Sequence, residues 1–197
     1  MTAPRPTRDA VLDAAADEVI AHGWRGLRLQ AVAASAGVSR QTVYNLFRHK
    51  HGLAQALVLR LTERFLDGIE RALASREDVR EQWVAAVRYT LDTAADDPLL
   101  KSVLTADGSD EFLPLLTSEA APVVVAARER LAAAVTAARP GTDPEEAAVA
   151  AETATRLAIS HIVLPLHPAE RATEQIAGVV HRFLGPPDGR DDPCQRP

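Results

Sequence analysis

The sequence predicts an all-α protein, and two features of its composition support that prediction. Alanine recurs in runs such as LAAAVTAA, which favour helix because alanine loses no side-chain entropy when the backbone coils. No alternating run of β-branched residues indicates a strand. With 197 residues, of which 47% are apolar and 25% charged, the chain is long enough for one large or two small helical domains.

Charge is distributed unevenly along the chain. The net charge is −5, yet residues 1–50 carry seven Arg or Lys against four Asp or Glu, and the remainder carries fifteen against twenty-three. From Val19 to Thr62, 44 residues contain six basic side chains and no acid. An acid-free basic segment in an acidic chain is typical of a surface that binds a polyanion; the alternative is a chance gap in the acids.

The first predicted helix spans residues 8–22, where apolar residues recur at helical spacing and acids occupy the other face. Gly23 is placed to end this helix, because glycine readily adopts the left-handed conformation of a helix C-terminus. Trp24 and Leu27 follow, and we expect both in the hydrophobic core.

Two short helices are predicted next, at about 29–36 and about 40–47. Gly37 stops the first of them, again because glycine accepts a positive φ. The hydroxyl of Ser39 can accept an otherwise unpaired amide in the first turn of the second, so Ser39 is the predicted N-cap.

The helix at 40–47 has two chemically different faces at about 100° per residue. One is apolar and predicted to be buried; it consists of Val43, Leu46 and Phe47. The opposite face is polar; it consists of Gln41, Tyr44 and Asn45, with Arg40 and Thr42 at its borders. Gln and Asn pair bidentately with adenine edges, Arg pairs with guanine, and hydroxyls reach phosphates or bases. Two helices, a glycine turn and a polar readout face predict a helix-turn-helix.

A long fourth helix is predicted at about 50–73, with large apolar residues at four-residue intervals. Its amino end combines Lys50 with unpaired backbone amides, which favours phosphate binding. His49 and His51 flank this lysine, but residues two apart on a helix point in different directions. We therefore interpret them as solvated or phosphate-adjacent side chains, and we predict no metal and no cofactor.

The stretch VAASAGVSRQTVYNLFRHKHGLAQAL resembles the DNA-binding domain of the TetR family of bacterial transcription regulators. The similarity runs from about Thr7 to Leu57. It covers the Ala-x-x-Ala-Gly-Val-Ser turn, the Thr-hydrophobic-Tyr-x-x-Phe recognition helix and the Lys-x-x-Leu start of the fourth helix. The DNA-binding residues predicted from the chemistry and the resemblance together are Arg28, Arg40, Gln41, Thr42, Tyr44, Asn45, Arg48 and Lys50.

The sequence departs from the family pattern at four positions. Leu27 and Arg28 stand where the family usually has a Ser or Thr cap, although Arg28 can reach a phosphate. Leu46 occupies a position often held by His or Tyr, which removes one DNA contact. His49 replaces the common Ser or Asn cap, so the start of the fourth helix is uncertain by a residue or two.

Beyond about residue 75, the resemblance implies an effector-binding and dimerisation bundle. Helices are predicted near 79–95, 98–105, 110–117, 119–138, 143–164 and 168–184, giving about nine to ten in total. Asp143 followed by Pro144 is a helix start signal, and Gly185 ends the last helix. The expected domains are 1–52 for DNA binding, with the helix at about 50–73 linking onward, 53–185 for effector binding and dimerisation, and 186–197 as a disordered tail.

Two sets of residues in this bundle are functional candidates. The helix near 143–164 becomes apolar almost all round, which predicts a four-helix interface with a second copy; intramolecular burial is the alternative. The predicted dimer residues are Ala154, Leu157, Ala158, Ile162, Ile176, Val179, Val180 and Phe183. Effector pockets are mainly apolar with a few polar groups. The candidate ligand residues are Trp83, Val87, Leu104, Phe112, Arg156 and His161, although each also fits a core position or a salt bridge, as Arg156 does with Glu152.

These observations lead to one expected function and one alternative from another class. The expectation is a homodimeric repressor that binds a near-palindromic operator on double-stranded DNA and is released by a small-molecule effector. The alternative is an α-helical enzyme or small-molecule carrier, but no metal-ligand motif, phosphate loop or nucleophile elbow is present. No apolar run reaches the roughly 20 residues of a membrane span, so we expect a cytoplasmic protein.

Overall fold

The computed structural model describes the backbone of residues 7–104 and 109–185. It describes the side chains of residues 8–102 and 110–185. These residues form ten helices and no strand, which confirms the predicted all-α fold. The helices are α1 Thr7–Gly26, α2 Leu29–Ser35, α3 Arg40–Phe47, α4 Lys50–Leu73, α5 Val79–Asp96, α6 Pro98–Leu104, α7 Ser109–Leu116, α8 Ala121–Ala138, α9 Pro144–Val163 and α10 Ala169–Leu184.

The observed helices follow the predicted ones closely, with one clear correction. We predicted a helix from 119, but α8 begins at Ala121. The amides of Glu119 and Ala120 are instead bonded to the carbonyls of Pro114 and Thr117, which closes the preceding turn. The end of the helix predicted at 98–105 and the predicted tail at 186–197 lie outside the described residues.

Close contacts divide the chain into two compact units. The first comprises the described residues up to Phe65 together with those in Thr93–Val123. The second comprises Leu66–Asp92 and the described residues from Val124 onward.

The first unit contains α1, α2, α3, α6, α7 and the beginning of α4. Val11, Ala15 and Val19 of α1 are completely buried, as the apolar spacing predicts. Gly23, with φ of 71°, interrupts the helical backbone. The chain then turns so that Trp24 enters the core, where its ring meets the Phe112 ring edge-on at 4.6 Å.

The second unit is built around α9 and α10, which pack directly against each other. Alanines line the buried face of α9, so its backbone can approach neighbouring helices closely. Asp143 caps α9 by accepting hydrogen bonds from the amides of Glu145 and Glu146, at 2.8 and 3.1 Å, as its position before Pro144 predicts. Gly185, with φ of 65°, ends α10.

Candidate nucleic-acid interface

The turn between α2 and α3 is held by backbone hydrogen bonds and one glycine. Gly37 has φ of 68°, and the amide of Val38 donates to the carbonyl of Ala33 at 2.9 Å. Ser39 then caps α3, because its Oγ accepts the amide of Thr42 at 3.0 Å and lies 2.9 Å from the Thr42 hydroxyl. The predicted N-cap is therefore confirmed.

Replacing Ser39 with alanine is expected to lower the free energy of unfolding by about 1 kcal/mol, since an amide of α3 loses its acceptor. Urea denaturation followed by circular dichroism measures this change. Ser35→Ala is the matched control, because Ser35 lies in the last turn of α2 and does not cap a helix. Equal stability of the two variants would contradict the capping role.

The structure separates the two faces of α3. Val43 and Phe47 are buried, whereas Leu46 is only half-buried and so contributes less to the core than predicted. The polar face is open to solvent: Arg40, Gln41, Tyr44 and Asn45 are exposed, and Thr42 is half-buried. Four of the five predicted contact residues of α3 thus share one accessible surface.

Gln41 and Asn45 are joined on this surface. Gln41 Nε2 donates to Asn45 Oδ1 at 2.9 Å, one helical turn away. Each amide keeps its other polar atom for a base edge, since an amide side chain has both a donor group and an acceptor. The pair is therefore oriented by the helix before any base is met.

The turn between α3 and α4 contains an unusual backbone conformation. Arg48 has φ of 61° and ψ of −51°, and the amide of His49 donates to the carbonyl of Phe47 at 2.7 Å. This is a γ-turn, which is rare and strained in a residue other than glycine. Arg48 directly follows α3 in the sequence, and its side chain is exposed.

His49 supplies the N-cap of α4. Its Nδ1 accepts a hydrogen bond from the amide of Gly52 at 3.0 Å, and α4 begins at Lys50. The imidazole thus replaces the Ser or Asn that is common in related sequences. This cap fixes the start of α4 at Lys50, within the range of a residue or two that the sequence left open.

The structure gives Lys50 an internal partner. Its Nζ donates to the carbonyl of Trp24 at 2.7 Å and lies 4.7 Å from the centroid of the Trp24 ring. Burial lowers the pKa of the Lys50 ammonium below its usual value, and the nearby carboxylate of Glu111 partly opposes that effect. An ammonium has three donors, so two remain for a phosphate while one joins the start of α4 to the end of α1.

An open groove of about 600 Å³ lies along α2 and the start of α3. Its lining residues are Arg28, Leu29, Gln30, Ala31, Ala34 and Arg40. Arg28 is exposed, and its Nε lies 3.5 Å from Oε1 of Glu18. The sequence singled out both arginines but not Gln30, which also lines the groove.

The candidate ligand residues belong to both compact units. Trp83 and Val87 are buried in the second unit, whereas Phe112 belongs to the first and packs on Trp24. Arg156 is exposed and bonded to Glu152 at 2.8 Å, and His161 is half-buried. The side chain of Leu104 lies outside the described part of the chain.

The predicted dimer residues divide into three groups by burial. Those already buried within one chain are Ala154, Ala158, Ile176 and Val180; those half-buried are Leu157 and Ile162; those exposed are Val179 and Phe183. Phe183 is 50% exposed and Val179 44%, and both lie on one face of α10. Leu164 and Leu166, which the sequence did not single out, are also exposed.

Neither a membrane span nor a metal cluster occurs in the described residues. Within residues 7–104 and 109–185, no helix combines the length and apolarity that a bilayer crossing requires. The same residues contain no group of three or more side chains suited to hold a metal ion.

A short helix, a glycine turn and a capped helix with an exposed polar face, set in an acid-free basic segment, define a helix-turn-helix DNA-binding protein. Residues 11–57 match the family described as bacterial regulatory proteins, tetR family. Residues 78–182 match the bacterial tetracyclin repressor, C-terminal domain. The chain therefore belongs to the TetR family and is a DNA-binding transcriptional regulator, as its sequence predicts.

Individual relatives agree with this assignment. The chain is 34% identical over 180 residues to the HTH-type transcriptional regulator AlkX of Mycobacterium tuberculosis, covering 91% of this chain and 83% of that protein. It is similar to the crystal structure of the TetR family repressor AlkX from Dietzia sp. strain DQ12-45-1b, implicated in biodegradation of n-alkanes, with a TM-score of 0.81 and 27% identity over 93% of this chain and 97% of that one. A TetR-family regulator from Streptomyces coelicolor shares the fold, with a TM-score of 0.57 and 21% identity over 93% and 99% of the two chains.

Proposed function

We propose that this protein is a repressor that binds a near-palindromic operator as a homodimer and is released by a small-molecule effector. The observation that carries the proposal is the exposed, acid-free polar face of α3, fixed at its start by the Ser39 cap. A helix of this kind inserts into the major groove and reads base edges.

The proposed DNA contacts fall into two groups. Gln41, Asn45 and Arg40 read bases, because their side chains match the donor and acceptor patterns of adenine and guanine. The remaining residues contact the DNA backbone; they are Arg28, Thr42, Arg48 and Lys50. Tyr44 can reach either a base or a phosphate. The groove flanked by Arg28 and Arg40 is open and basic, which suits a phosphate strand.

The proposed dimer interface is the apolar surface that the chain leaves uncovered on α10. Val179 and Phe183 lie four residues apart, so they form one exposed stripe. Leu157 and Ile162 of α9 are half-buried, and the proposed interface includes them together with the buried members of the predicted set. A two-fold pair would place two recognition helices on one operator.

The domains proposed from the sequence remain residues 1–52 for DNA binding and 53–185 for effector binding and dimerisation. A regulator of bacterial DNA acts in the cytoplasm, which we propose as its location. Because the Dietzia relative is implicated in n-alkane biodegradation, we propose that this protein responds to an apolar chain compound. Trp83 and Val87 are buried and apolar, which suits contact with an apolar ligand.

Fluorescence anisotropy with labelled DNA from immediately upstream of the protein's own gene tests the repressor proposal. We expect a complex that prefers this DNA to a scrambled sequence and weakens steeply as salt rises. Tyr44→Ala should lose about tenfold in affinity, the order expected for one base or phosphate contact, without a change in melting temperature. Tyr44 is suited to the test because its side chain is 42% exposed.

The alternative, a helical enzyme or carrier, makes the opposite prediction for the same variant. If Tyr44→Ala left DNA binding intact and removed a catalytic activity, the regulator proposal would fail. Lys50→Ala is a less specific variant, since it also removes the hydrogen bond to the Trp24 carbonyl.

A further inference from the structure

His51, in the first turn of α4, is placed between two carboxylates. Its Nδ1 lies 3.1 Å from Oε1 of Glu111, in α7, and its Nε2 lies 3.3 Å from Oε2 of Glu119, in the turn that follows α7. All three residues belong to the first unit and are partly exposed. Both ring nitrogens therefore face acceptors.

This arrangement suits the imidazolium form of the ring. A neutral imidazole has one N–H donor and one lone pair, so one of the two carboxylates would face a lone pair instead of a hydrogen. A protonated ring donates to both carboxylates and gains two charge-assisted hydrogen bonds. The two contacts are complete only when His51 carries a second proton.

Two neighbouring contacts join α7 to the end of α1. Arg25, near the end of α1, pairs with Asp110 of α7 at 3.1 Å, and Trp24 packs on Phe112. Neither contact involves a histidine. His51 is therefore the histidine among these contacts, which join α7 and the turn after it to the two helices flanking the helix-turn-helix, α1 and α4.

We infer that protonated His51 is a positioning residue for operator binding, because it ties the first turn of α4 to α7 through Glu111 and Glu119. That turn follows the recognition helix directly and carries Lys50. Fixing it before DNA arrives reduces the ordering that binding must supply, so affinity rises. The affinity part of this inference rests on the operator binding proposed above.

The other charged groups near His51 set the controls. Glu111 and Glu119 attract its charged form, whereas the Lys50 ammonium on the adjacent residue and the His49 ring, 6.1 Å away between centroids, oppose it when charged. Arg25 is paired with Asp110 and acts at longer range. His49 can itself change charge, so only differences between the wild type and a variant report on His51.

The direction of the expected pH dependence follows from the protonated form of His51, which makes both contacts. Contacts made by the protonated ring are present at low pH and are lost when the ring gives up its second proton as the pH rises. The wild type should therefore exceed variants that lack the tie at acidic pH, in affinity and in melting temperature, and the difference should become smaller at alkaline pH.

Operator affinity and melting temperature of the full-length protein at about pH 5.5 and about pH 8.5 test this inference. The variants are His51→Gln and the double variant Glu111→Gln with Glu119→Gln. We expect the affinity of the wild type relative to each variant to be about two- to fivefold higher at the lower pH than at the higher pH, the range for partly exposed ion pairs. The ratio is compared between the two pH values because the Glu variant also loses two negative charges beside Lys50 at both. The melting temperature of the wild type should likewise exceed that of each variant by more at the lower pH than at the higher pH.

His22→Gln is the matched control. His22 is a partly exposed histidine of the same unit whose Nδ1 lies 3.4 Å from Oε2 of Glu18, within one helix. We expect it to retain the wild-type pH profile. A difference between wild type and the His51 and Glu variants that is the same at both pH values, in either readout, would overturn the inference. Absence of upstream DNA binding by the wild type would instead refute the operator proposal, and the melting temperatures would still decide whether the tie exists.

Discussion

Replacing Gln41 and Asn45 together with alanine is expected to reduce affinity for upstream DNA by about 100-fold or more. Each bidentate contact to a base is worth roughly 1–3 kcal/mol, and the two amides are the strongest candidates for such contacts on α3. Because Gln41 donates to Asn45 at 2.9 Å, each residue helps to orient the other. The two single substitutions should therefore cost more in sum than the double one.

Electrophoretic mobility shift and anisotropy titrations of the wild type, the two single variants and the double variant measure this coupling. Alanine favours helix more than either amide, so the double variant should remain folded. Gln55→Ala is the matched control, because Gln55 is exposed on α4 and has no proposed DNA role. Binding to scrambled DNA should persist in the double variant, since backbone contacts remain. Wild-type affinity and sequence preference in the double variant would show that α3 does not read bases through these amides.

Gly52→Ala is expected to lower the free energy of unfolding by about 2–3 kcal/mol, as overpacking does in a closely packed site. A methyl group at Gly52 would fall well inside contact distance of the carbonyl oxygen of Phe47. That oxygen cannot move away cheaply, because it already accepts the amide of His49 in the γ-turn. Guanidinium denaturation measures the loss, and operator affinity should fall with it because the end of α3 must shift.

Gly178→Ala provides the comparison for the loss at Gly52. It makes the same chemical change inside α10, where a methyl group would meet nothing within 4 Å from other parts of the described chain. We expect that variant to gain roughly 0.5–1 kcal/mol, the usual helix preference of alanine over glycine. If the two glycine substitutions changed stability equally, the close approach of α4 to the Phe47 carbonyl would be refuted.

Much of the fold could be predicted because its signals are local. The cap at Ser39 and the turn at Gly37 follow from the preferences of single residues and were found where the sequence placed them. The burial of Val43 and Phe47 opposite an exposed Tyr44 follows from helical periodicity alone. Local chemistry of this kind also supported the helix-turn-helix and hence the regulator assignment.

The partners of individual side chains could not be predicted in the same way. Lys50 reads from the sequence as a phosphate ligand, yet its ammonium bonds to the Trp24 carbonyl, 26 residues earlier. His51 reads as a solvated side chain, yet it meets Glu111, 60 residues later. No periodicity relates residues so far apart, because their separation in space is set by how the helices pack.

In α9 and α10, the sequence and the packing of the chain determine different properties. The sequence by itself determined that α9 must be covered on more than one side, because its LAISHIVL end is apolar almost all round. Only the packed chain decided that Ile176 and Val180 face inward while Val179 and Phe183 stay exposed. Hydrophobicity specifies that a surface is to be buried, but the geometry of the neighbouring helices selects which part of it is buried within the chain and which is left for a partner.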